Sequence, residues 1–211
     1  MGKVSMETAH QLHNQMRIQI PEFERTADRC ATILLAINAE PETDTAIALK
    51  AVSETLLMLC YINLDLMAAY RQYFSTDTST HYEDRQAMTK INVVMSEAYK
   101  KIYGFGEQQQ KSSFWISKIK KAVNLVGLRE DDYRRIEDKL KSIGSDNVLN
   151  KDMRDLSVHY DSDPMKVYNM LSSISAEEVI GRCGKFMEVL KDVTGYVTFL
   201  LDLIEKRLKT A

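Results

Sequence analysis

The hydrophobic positions divide this 211-residue chain into helical stretches with few breaks between them. The clearest pattern is C-terminal: Val179, Cys183, Phe186, Leu190, Val193, Val197, Leu200 and Ile204 recur at alternating steps of four and three. Such steps keep returning to one side of a helix with 3.6 residues per turn. They predict a long seam packed nearly parallel or antiparallel to its neighbours. A chain with many other helices buries that seam internally rather than offering it to a partner. Ser175 and Glu178, three apart, read as the capping box that opens this helix.

The same reasoning places the other elements. A first helix is expected from about Ser5 to Ala39, bent or interrupted at Pro21, with Glu40-Pro41 ending it. A second starts near Thr43 to Thr45 and continues to about Phe74; its middle, Leu56 to Tyr70, is apolar on nearly all sides, as in a helix at the centre of a bundle. Thr80 and Glu83 form a capping box for a third helix ending near Tyr103, closed by Gly104 and Gly106. A fourth is expected over Ser113 to Val126, stopping at Gly127, and a fifth over Glu130 to Ile143, stopping at Gly144. A short helix over Asn150 to Tyr160 follows. Asp163-Pro164, an N-cap before a proline at the first helical position, starts another at "PMKVYNML". No run of alternating apolar and polar residues argues for a sheet. The pattern therefore predicts an all-α, single-domain bundle of five to seven helices over residues 1–211, with long first and last helices. Residues 1–40 form either part of it or an N-terminal extension.

Composition refines this reading. With 45% hydrophobic and 27% charged residues the chain is that of a globular protein, and a net charge of −2 leaves any polyanion to be met by a local patch. Three widely spaced cysteines, Cys30, Cys60 and Cys183, argue for reduced, buried thiols rather than a disulfide frame or a zinc site. The N-terminus lacks the apolar stretch of a signal peptide, and Met6 stands where a myristoylation motif needs Ser or Thr. The longest apolar run, Leu56 to Ile62, is too short to span a bilayer. A cytoplasmic protein with no membrane partner is the expectation.

One stretch, "RDLSVHYDSDP" from Arg154 to Pro164, carries chemistry-bearing residues at close spacing. Asp155 and His159 are four apart and share a helix face, so the carboxylate can hydrogen-bond one imidazole nitrogen and favour the protonated ring. Arg154 and His159 are five apart and diverge by about 140° on a straight helix. Arg154 would most easily meet a histidine from a second copy across a twofold interface. This Arg-x4-His pattern, with a polar residue directly after the arginine and set near the end of an all-α bundle, resembles the motif of the HEPN superfamily (higher eukaryotes and prokaryotes nucleotide-binding). The resemblance implies a metal-independent, dimeric endoribonuclease without cofactor, of a kind that includes toxins and antiviral factors, with Arg154, Asp155 and His159 as catalytic residues and an antitoxin as an expected partner. Inactive scaffolds also belong to that superfamily, so a non-catalytic helical interaction protein is the alternative.

The residue types suit the chemistry. RNA supplies its own 2′-hydroxyl nucleophile; a histidine can transfer protons near neutral pH, and a guanidinium holds phosphate oxygens through two parallel hydrogen bonds. Tyr160, one position after His159, offers a ring for base stacking or packs as a helix-end aromatic; Asp161 stands where some relatives carry a modifiable tyrosine. A second candidate is the basic stretch from Lys100 to Arg129, with seven cations against Glu107. Lys111, Lys118, Lys120 and Lys121, interleaved with Phe105, Phe114 and Trp115, could attract phosphate and stack on bases. The alternative is a solvated helix face with Trp115 and Ile119 packed inward.

Overall fold

A computed structural model describes residues 6–37, 43–74, 81–127, 130–145, 148–150 and 163–210. Its elements in chain order are α1 (Met6–Ile37), α2 (Asp44–Phe74), α3 (His81–Ile102), α4 (Glu107–Ser112), a π-helical turn (Trp115–Ile119), α5 (Lys120–Leu125), α6 (Glu130–Ser145), α7 (Pro164–Ser173) and α8 (Ala176–Thr210). The chain is thus an all-α bundle with long first and last helices. Among the described residues it has eight α-helices, which corrects the expected five to seven. α4 supplies the excess: it buries no residue, so no apolar pattern announces it. The stretch expected as the fourth helix, Ser113 to Val126, holds the π turn followed by α5.

α2 is the hub, with α1, α3, α8, α5 and the π turn packed around it. Leu56, Leu59, Cys60 and Leu66 are wholly inaccessible there. The polar side chains carried into this core are served by their own helix. Thr55 donates to the Ala51 carbonyl at 2.7 Å, Asn63 to Leu59 at 2.8 Å and Asn92 to Met88 at 3.1 Å. These bonds remove part of the penalty of burying polar groups. α2 is also long and apolar enough, by length and composition alone, to cross a membrane. The seven-residue run Leu56 to Ile62 therefore understated its reach. Half of its most apolar window is buried against the other helices.

α1 continues through Pro21, so of the bend or interruption expected there the interruption does not occur. The missing hydrogen bond and ring clash of an interior proline cost about 3 kcal/mol. Packing of the turns on either side against the core offsets that cost: Met16, Ala27 and Cys30 are buried, and Ile20, Phe23 and Ile33 lie against them. α8 follows its sequence closely. All eight seam residues, from Val179 to Ile204, are buried, and Ser175 accepts from the Glu178 N–H at 3.3 Å. Asp163 accepts from the Met165 N–H at 2.9 Å and caps α7, with Pro164 in its first turn.

Glycines were less well placed. Gly104 closes α3 in the left-handed region (φ +89°), and a Cβ there would lie 2.7 Å from the Gln109 and Gln110 backbone. Gly106, expected to close the same helix, instead precedes α4 as its N-cap residue. Gly144 does not stop α6, which runs on to Ser145. Its place is dictated by contact: a Cβ would meet the Tyr99 hydroxyl at 2.3 Å. All three cysteines are free and buried. Burial pushes the thiols of Cys30 and Cys183 up to about 11 and that of Cys60 to about 12.

Candidate functional site

Arg154, Asp155, His159 and Tyr160 lie outside the described residues. Their surroundings in the chain are described on both sides. Val148 is buried and Leu149 packs against the core just after α6. Asp163, capping α7, stands just after the motif. The proline-initiated helix read from the sequence is therefore present at the motif's C-terminal border.

The basic stretch is described nearly throughout, and its parts separate. Trp115 is 1% exposed; its ring stacks on Tyr133 (centroids 5.0 Å, planes 13° apart) and meets Tyr196 at 5.8 Å. Both faces of the indole are thus in protein, and it has none to offer a base. Ile119, Ala122 and Val123 are buried beside it. Lys118 is paired with Glu54 of α2 and sits 4.7 Å from the Phe114 ring centroid. One cation of the basic stretch is thereby neutralised by a carboxylate of α2. Lys111, Lys120 and Lys121 are exposed. Burial raises the hydroxyl pKa of Tyr196 to about 12, with the Asp132 carboxylate adding to it, and that of Tyr133 is raised as well, first by burial and then by Glu137. These phenols stay protonated at neutral pH.

A feature the sequence did not announce is a groove of about 450 Å³ between α1, α2 and α8. Phe23 of α1, Met67 of α2 and Met187 of α8 give it apolar walls, and Asn63 of α2 lies on its floor. Asn63 is only 3% exposed, and its amide nitrogen is committed to the Leu59 carbonyl. Among the described residues no donor reaches its Oδ1. The one available signal was an asparagine directly after the apolar run Leu56 to Ile62.

Among the described residues no group of three or more His, Cys, Asp or Glu side chains is placed to hold a metal ion. No known family, no curated protein and no solved structure matches this chain.

Proposed function

We propose that the chain is a HEPN-like endoribonuclease that cleaves RNA through its own 2′-hydroxyl, as a homodimer and without metal. The observation that carries this reading is the Arg154-Asp155-x3-His159 sequence, followed within a few residues by the Asp163-capped α7 of an all-α bundle. His159 moves protons between the 2′-hydroxyl and the leaving 5′-oxygen. Asp155 orients its ring, and Arg154 balances the charge on the crowded phosphorane. Lys111, Lys120 and Lys121 are the exposed cations of the basic stretch that can follow a phosphate backbone. Trp115 and Lys118 take no part in this reading, since packing and the Glu54 pair account for both.

The experiment is incubation of purified protein with labelled RNA. Cleavage that survives EDTA and disappears in both His159→Ala and Arg154→Ala is the expected result. A chelator-sensitive activity, or one untouched by either substitution, would contradict it. A second reading, a non-catalytic helical interaction protein, is favoured by the burial of Trp115 and the Lys118–Glu54 pair, which leave the basic stretch fewer groups for RNA. RNA left intact at all protein concentrations would select that reading.

A further inference from the structure

α8 has a second stripe, on the side away from its buried seam. Gly181, Gly184, Glu188, Lys191, Gly195 and Thr198 follow one another at steps of three or four and fall within about 60° of a common line along the helix. Thr198 is half-buried and the other five are exposed. A Cβ added at Gly181, Gly184 or Gly195 would meet nothing within 4 Å, so the stripe is a shallow trough rather than a packed surface. Glu188 and Lys191 stand at its middle, and among the described residues neither makes an ion pair.

The order of these residues reads the same in both directions, with the two central charges exchanged. If a second α8 is laid antiparallel over the first, with the twofold axis passing midway between Glu188 and Lys191, every position finds a complement. Gly184 faces Gly195 of the other copy, and Gly181 faces Thr198. Glu188 faces Lys191 twice, once on each side of the axis. Small residues at the two flanking positions let the backbones approach closely, and opposite charges fix the register. A surface patch that complements itself in this way is what an isologous contact requires.

The groove runs beside the stripe and shares residues with it. It opens along the same stretch of α8, between it and α1, whose link to α8 is made further along by Arg29 with Asp202 and Glu205, each at 2.8 Å. The Asn63 side-chain oxygen on its floor is open to the groove, where a group that enters can donate to it. Thr194 and Thr198 already donate to carbonyls of their own helix. Lys191 is the donor on the stripe that remains for the other copy.

We infer that this face of α8, with the groove beside it, is the docking surface for a second copy of the same chain. The inference supplies an interface for the dimer proposed above; only its bearing on catalysis rests on that reading.

Charge reversal tests it. Sedimentation equilibrium of the full chain is expected to show a dimer. Glu188→Lys sets lysine against lysine twice, and Lys191→Glu sets acid against acid twice. Each alone should raise the dimer dissociation constant about tenfold or more. An equimolar mixture of the two variants restores both attractive pairs and should form a heterodimer, as should the double variant with itself. Gly195→Leu, whose side chain points into open space in the single chain, should keep its helical circular dichroism while losing the dimer. A monomeric wild type, or a dimer indifferent to both reversals, overturns the inference. RNA cleavage is measured separately: a charge-paired dimer that leaves RNA intact refutes only the nuclease reading.

Discussion

α8 and the segment from Gly104 to Leu125 are built on different principles. α8 is one helix whose seam repeats at a regular interval, and each buried residue does the same work as its neighbours. The segment is α4, a π turn and α5, held by a few particular contacts: the left-handed Gly104, the Trp115–Tyr133 stack and the Lys118–Glu54 pair. Regular burial distributes stability over many residues, whereas particular contacts concentrate it in a few. The first kind of region should yield gradually to substitution and the second abruptly.

Trp115→Ala tests this most strongly. It removes a fully buried ring that ties the π turn to α6 and α8, and should cost about 3–5 kcal/mol in denaturant unfolding. Val193→Ala in the seam removes less volume, and its cost should be clearly smaller. Gly144→Ala comes next. The new methyl would push on Tyr99, itself buried and flanked by Tyr103 and Phe105, so a loss of about 1–3 kcal/mol is expected. If Gly144→Ala leaves the melting temperature unchanged or raises it, the contact is not what fixes that position.

The regular core makes its own prediction about pH. Burial raises the folded-state pKa of the three thiols from the ordinary value of 9.0 to about 11 for Cys30 and Cys183 and about 12 for Cys60. The unfolded thiols ionise first, so their contribution to stability is intact below about pH 9 and is lost as pH rises towards the folded values. Each contributes at most about 1.4 kcal/mol per pH unit over that window. Cys60→Ala should therefore flatten the alkaline fall in stability; an unchanged slope would show that Cys60 is not a source of it. Smallest of all, Lys118→Met should cost roughly 1 kcal/mol or less, because the Glu54 pair is still about a third exposed. A larger loss would mean that the pair is a main tie between the π turn and α2.

The same contrast explains what could be read in the sequence. The α8 seam, its capping box, the Asp163 cap and the central place of α2 all follow from periodicity and local hydrogen-bonding chemistry. The π turn does not, because Trp115 and Ile119 are four apart, a spacing that an ordinary α-helix shares. α4 is polar throughout and has no pattern to read. Pro21 suggested a bend or a break, and packing on α2 overrides the break, since local propensity is weaker than burial of the turns around it. Gly144 looked like a helix stop because close approach by Tyr99 leaves no mark in the sequence nearby. The inward position of Trp115 was one of two sequence readings, and its neighbours Tyr133 and Tyr196 come from distant parts of the chain. For the candidate catalytic residues, spacing supplied the chemistry: Arg154, Asp155 and His159 are a proposal carried by the sequence.

The decisive measurement is the chemical nature of the ends left on RNA. Attack by the 2′-hydroxyl, helped by His159 and Arg154, predicts fragments bearing 2′,3′-cyclic phosphate and 5′-hydroxyl ends, with no cleavage where a 2′-deoxynucleotide replaces the nucleotide before the scissile bond. Fragments with 5′-phosphate ends, or cutting that continues past the deoxynucleotide, would contradict the account.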